Sequence, residues 1–354
     1  MSVFVISYYA SLIGASCLAA YYNRREVFLL LFSLTLVSFV LGIIGGIAAL
    51  RFVAISAGVL ALAAGTSYAF REFLIAITSK NIAKELRTAP LTAAFGMFVI
   101  FTYAIAGFFA PWIAPHGESE VIAAAFAPAD QNMILGADQL GRDMFSRIIY
   151  GARNTVGIAL IATILAFVMG ALAGLLAATK VGWFDQFMGR SADVIMSVPS
   201  LIFALLILSI FGTSITVIVV VVAVIYSPRV FRLTRAVAGN IVVMDFIEAA
   251  KLRGEGDWYL IRKEILPNST APLIAEFGLE FCFVFLLIAG LSFLGLGIQP
   301  PTADWGSMVR ENATLISFGD ITPLIPAAAI ALLTVSVNFV VDWMLFRSSG
   351  LKEM

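Results

Sequence analysis

Residues 153–179 read RNTVGIALIATILAFVMGALAGLLAAT, and no charged side chain interrupts them between Arg153 and Lys180. About 20 consecutive apolar residues match the hydrocarbon thickness of a bilayer. A helix satisfies all of its own backbone groups there, so this stretch predicts a membrane-spanning helix. Working outward, the same test predicts spans near 2–22, 27–50, 53–78, 92–114, 191–211, 213–231, 270–297 and 322–346. The first run has no basic region ahead of it and no clear cleavage site, so it reads as a retained helix and not a signal peptide.

Composition agrees. Of 354 residues, 61% are hydrophobic and 12% charged, against roughly a quarter charged in soluble domains; the mean hydropathy is +1.00. Water would not tolerate the apolar surface that a soluble fold of this chain would expose. Lys and Arg equal Asp and Glu in number, 22 each, so no nucleic-acid footprint is present. Cys17 and Cys282 lie in apolar runs and read as small hydrophobes. His116, with Glu118 and Glu120 nearby, reads as a solvated loop, and no metal site is expected.

The cations set the expected orientation. Arg24 and Arg25; Lys80, Lys84 and Arg87; Lys180 and Arg190; the stretch from Arg229 to Lys263; and Arg347 with Lys352 mark one face as cytoplasmic. The alternate loops near 115–150 and 298–321 are poorer in cations. Nine crossings with the N-terminus outside and the C-terminus inside satisfy nearly all of these positions. The expected organisation is N-terminal helices over 1–78, a cytoplasmic linker over 79–91, a core over 92–346 and a tail over 347–354.

The longest cytoplasmic loop holds DFIEAAKLRGEGDWYLIRKEILPN, Asp245 to Asn268. Asp245 and Glu248 resemble a capping box, Ala249 and Ala250 favour helix, and Gly254 and Gly256 stop it. Asp257 is expected to cap a second short helix ended by Pro267.

Glu248-Ala249-Ala250, then Gly254, then Leu266-Pro267 resembles the EAA loop of ABC-importer permeases. Other motifs follow in order. Residues 135–143, LGADQLGRD, with Ser146-Arg147 and Tyr150-Gly151-Ala152-Arg153, look like the segment before the second core helix of the dipeptide/oligopeptide/nickel branch. Gly182–Asp185 with Arg190, Asp193 and Pro199, then Leu291–Gly297, Gln299-Pro300-Pro301 and Asp304-Trp305-Gly306, resemble later family segments. The resemblance covers roughly 90 to 350, and its branch is that of the second, C-type permease.

The resemblance implies a type I importer permease fold, with a six-helix core plus about three additional N-terminal spans. It also implies a coupling loop over 245–267 that docks on an ATPase through Glu248, Ala249, Ala250, Gly254, Gly256, Leu266 and Pro267. The expected partners are a homologous second permease, two ATP-binding subunits that use ATP and Mg, and an extracytoplasmic binding protein; this chain itself binds no cofactor. Peptides are the first expectation for cargo, with nickel or short oligosaccharides as alternatives. The chain departs from the family at Ile288, where an acid is frequent, and at Val341, where glycine is usual.

Among intramembrane groups, Glu276 and Glu280 share a helix face. They line the path, touch the companion subunit, or lie shallow and hydrated near the cytoplasmic end. Asp193 and Asp342 read as cytoplasmic-end or interhelix hydrogen-bonding groups. Gly170 with Gly174, and Gly295 with Gly297, suit tight helix packing. No phosphate-cradling Gly-x-x-x-x-Gly-Lys-Ser/Thr occurs, so the energy source is expected on a partner and no catalytic residues are expected here. An ion-gradient transporter would instead show inverted repeats and broken helices with midplane ionisable groups.

Overall fold

The computed structural model describes residues 35, 48–131, 133–180, 182–318, 320 and 322–348. The expected spans near 2–22 and 27–50 lie almost wholly outside them. The chain divides into two compact units, Met1–Thr78 and Ser79–Met354.

In the first unit, α1 spans Ala48–Ile77. Its part Gly58–Ile77 is long and apolar enough to cross a membrane. Thr66 and Ser67 turn their hydroxyls back to the carbonyls of Leu62 and Ala63, so neither asks for water. Val59, Leu60 and Leu62 are exposed along it, as lipid-facing side chains are.

The second unit contains α2 Lys80–Arg87, α3 Leu91–Phe108, the short α4 Ala110–Ile113, α5 Met144–Gly151 and α6 Gly157–Thr179. Then come α7 Trp183–Met196, α8 Ser200–Phe211, α9 Ile215–Val242 and α10 Asp245–Leu252. The unit ends with α11 Asp257–Tyr259, α12 Leu266–Phe293, α13 Trp305–Asn312 and α14 Leu324–Ser348. One π-helical turn, Ala152–Val156, joins α5 to α6, and another, Leu260–Ile265, joins α11 to α12. Two continuous helices of 36 and 37 residues result.

Three expected boundaries are corrected. The span near 191–211 is a bent pair, α7 and α8, broken by 86°. Pro199 stands at the corner as the N-cap of α8, and proline disfavours helical backbone in the residue before it. The helix expected to end near 231 continues to Val242, so Arg232 and Arg235 lie on α9 and not in a loop. Arg232 pairs with Asp193 and Arg235 with Asp185, both on α7, which gives this extension its polar anchors. Finally, Pro267 ends nothing. It occupies the first turn of α12, where a missing N–H costs least, and the π turn before it absorbs the change of register.

Close helix contact depends on small residues. A Cβ on Gly170 would press on Val230 Cβ at 2.7 Å, and one on Gly174 on the Phe231 carbonyl at 2.8 Å. The expected packing role of this pair therefore holds, and it seats α6 on α9. Gly96 plays the same part for α3 on α14, where its Cβ would meet the Ser336 carbonyl. Gly295 and Gly297 lie beyond α12. Gly295 adopts φ +88°, with its N–H on the Ser292 carbonyl and the Leu296 N–H on the Leu291 carbonyl. Gly295 is thus a glycine-ended helix stop, while Gly297 keeps the expected tight packing, against Ser292 of α12.

The main core gathers α5, α6, α8, α9, α12, α13 and α14 around Phe285, Ile288, Leu291 and Trp305. Away from it, Leu160, Ile164, Val168 and Leu172 form an exposed apolar stripe on α6, four residues apart and so on one face.

Candidate functional site

At one end of the second unit, α9 hands over to α12 through the segment 243–256. Met244 is extended at the start of α10 and makes no side-chain cap bond. Asp245 is the first helical residue, so the expected capping box is absent. Asp245 and Glu248 instead complement the positive end of the helix dipole from its first turn, and Lys251 the negative end.

The stop is as expected. Gly254 takes φ +83°; its N–H donates to the Lys251 carbonyl (2.9 Å) and the Glu255 N–H to the Ala250 carbonyl (3.2 Å). This left-handed turn favours glycine. Gly256, and not Asp257, precedes the next helix as its N-cap.

α10 has two faces. Ile247 and Ala250 are fully buried against Leu175, Ala238, Ile241, Leu260 and Ile265. Ala250 is therefore occupied within its own chain, whereas Glu248 and Ala249 are exposed. Leu252 is 83% exposed and Val243 81%, with Phe246 and Trp258 also exposed. These four apolar residues were not singled out from the sequence, although apolar side chains in a charged loop were a readable signal. Lys180 to Asp257 (3.9 Å) and Arg253 to Glu264 (4.0 Å) are the loose ion pairs around this segment; exposed pairs of this kind contribute little. Leu266 and Pro267 are exposed on α12. Pro267 lines a groove of about 610 Å³ with Glu85, Trp343 and Arg347.

At the other end, the loops 114–143 and 294–323 interlock. Asp138 accepts from Arg142 Nε (2.7 Å) and lies 3.2 Å from Arg147 Nε. Arg142 reaches Glu311 at 3.1 Å. Asp143 caps α5 through the Ser146 N–H. Glu118 accepts from Asn154 and from the Ala303 N–H, both at 2.9 Å. Thr155 donates to Asp304 (2.8 Å) and accepts from the Trp305 N–H. Burial pushes the Asp304 carboxyl up, and hydrogen bonds from the Ser307 N–H and the Thr155 hydroxyl oppose it. Motifs far apart in sequence thus build one desolvated platform. His116 joins it through its backbone N–H, which donates to Ser146 Oγ. Among the described residues no three metal-ligating side chains converge.

Glu280 is 1% exposed, and its Oε2 has no hydrogen-bond partner; Glu276, one turn earlier, is half-buried. Glu280 lies about 20 Å along α12 from Phe293, at 1.5 Å per residue. Asp193 bonds Arg232 between helices, as expected of it; Asp342 is exposed.

The model of the family described as "Binding-protein-dependent transport system inner membrane component" matches residues 170–348. The chain belongs to that family. Within it, this permease is 33% identical over 254 residues to the di/tripeptide transport system permease protein DppC of Pseudomonas aeruginosa, covering 70% of this chain and 84% of that one. It is 32% identical over 258 residues to the glutathione transport system permease protein GsiD of Pectobacterium atrosepticum (71% and 84%). It is 31% identical over 258 residues to the probable D,D-dipeptide transport system permease protein DdpC of Escherichia coli (73% and 86%). Among solved structures, a MetNI methionine ABC transporter chain aligns with TM-score 0.49 at 16% identity, covering 58% of this chain and 97% of that one. The permease is a multi-pass inner-membrane subunit of an ABC importer.

Proposed function

We propose that this permease, paired with a homologous permease, carries peptides handed over by an extracytoplasmic binding protein, and that α10 is the contact through which separate ATP-hydrolysing subunits drive it. One observation carries the coupling role. A short helix, anchored by Ile247 and Ala250 and stopped by Gly254, presents Glu248, Ala249, Leu252 and the neighbouring Val243 and Phe246 to the outside. Exposed apolar side chains rimmed by charge fit a protein partner. The anchored inner face would pass a push on α10 to α6, α9 and the π turn that leads into α12, whose side chains hold it.

ATP and Mg belong to the partner subunits in this reading, since the chain has no phosphate cradle. The N-terminus lies outside, and α10 and the C-terminus lie in the cytoplasm. Peptide cargo is supported by the names of the relatives, which include di/tripeptide, glutathione and D,D-dipeptide permeases. Of the docking residues expected from sequence, Glu248, Ala249, Gly254 and Gly256 remain in this proposal. Ala250 contributes as an anchor, and Leu266 with Pro267 as the root of α12.

Detergent copurification tests it. The parent chain should bring down an ATP-binding subunit, and Leu252→Asp should lose it while still inserting into the membrane. Equal recovery of that subunit from both would overturn the docking role.

A further inference from the structure

Three ionisable groups near the middles of α9 and α12 are left unused by the coupling surface. Arg229 sits near the middle of α9, about 20 Å from either end at 1.5 Å per residue. Its guanidinium carbon lies 4.7 Å from the centre of the Phe283 ring and 5.7 Å from that of Tyr226. The side chain is exposed, and among the described residues no carboxylate forms an ion pair with it. Glu280 and Glu276 precede Phe283 on α12 by three and seven residues, one and two turns along the same face. Glu280 is buried with one carboxyl oxygen unsatisfied.

Neither condition suits a lipid-facing surface. Charged groups within spanning helices almost always face a cavity or another chain, and a buried unpaired carboxyl oxygen calls for a partner the structure does not show. The backbone beside Arg229 is adapted as well. Pro228 deprives the Val224 carbonyl of its helical donor, and Ser227 Oγ supplies one at 3.2 Å. Arg229 is held over two aromatic faces, which leaves its planar fork of donors free, and that fork matches a carboxylate. Opposite charges one helix away create a site with two signs.

Resting on the peptide-permease reading, we propose that Arg229, Glu276 and Glu280 form a charged subsite of the translocation path that engages the two ends of a zwitterionic peptide. Arg229 takes its carboxylate, and the two glutamates take its ammonium group.

The test uses the complete transporter in vesicles, with trialanine as probe and saturating binding protein. Arg229→Gln and Glu280→Gln should each lower uptake at least ten-fold. Copurification of the second permease and ATP hydrolysis stimulated by the binding protein should stay within two-fold of the parent. Arg229→Lys should recover several-fold over Arg229→Gln. Uptake by Arg229→Gln within two-fold of the parent would overturn the proposal. So would separation of the permease pair, which would place Arg229 against the partner chain, or a lysine variant no better than glutamine. Failure of the parent complex to carry trialanine would overturn the peptide reading and this subsite together. Normal parent uptake with unaffected variants would overturn the subsite alone.

Discussion

Gly278 of α12 lies directly against Val341 of α14: a Cβ on Gly278 would strike a Val341 methyl and touch Val337 at 3.9 Å. Val341 stands where the family usually has glycine, and here the small residue sits on the facing helix. The crossing thus pairs one small partner, Gly278, with one larger partner, Val341. Gly278→Leu should therefore destabilise the permease by about 1–3 kcal/mol, as overpacking does. Adding Val341→Ala should restore part of the loss, read as melting temperature in detergent. No recovery in the double variant would show that the two side chains do not share one space.

The turn at Gly254 makes a different demand. A Cβ there meets nothing within 4 Å, so the cost of Gly254→Ala comes from its φ of +83°, about 1 kcal/mol. Gly254→Asn should be milder than Gly254→Ala, since asparagine tolerates left-handed backbone. Uptake should rank parent, then Asn, then Ala, with Gly254→Trp and Glu248→Lys abolishing it while membrane insertion persists. Normal uptake by the last two would count against α10 as the coupling element.

The platform at the opposite end depends on buried charge. Asp138 is almost wholly buried between Arg142 and Arg147, and removing one partner of a buried pair typically costs about 3–5 kcal/mol. Asp138→Leu should thus reduce folded yield sharply, measured by size exclusion in detergent. Leu140→Ala, at an exposed neighbour, should change it little. Equal yields would show that the ionic cluster contributes nothing to the fold.

Because Met1–Thr78 and Ser79–Met354 are separate compact units, deleting residues 1–78 should leave uptake measurable. Complete loss of assembly would make the first unit part of the subunit interface.

What could be read from sequence follows from the range of each signal. Hydropathy marks apolar runs, so the spans are visible, and Gly254 shows because glycine alone relaxes a left-handed turn. Hydropathy stops where charge begins, which is why it ends the predicted span at 231 and leaves Arg232 and Arg235 to a loop. Their partners, Asp193 and Asp185, are supplied by tertiary folding. Asp245 failed as a cap because Met244 already takes the extended position before α10. The inner role of Ala250 depends on Leu175 and Ile265, residues brought in by other helices. Likewise Arg142 and Glu311 meet only once two distant loops close together, although both belonged to recognisable motifs or their flanks.

A photo-crosslinking amino acid at position 252 probes the central claim most directly, because Leu252 is the most exposed apolar residue of α10. In membranes containing the whole transporter, illumination should join this permease to an ATP-binding subunit, and the yield should change when ATP is added. Crosslinking to lipid alone, or to a protein on the extracytoplasmic side, would contradict the account.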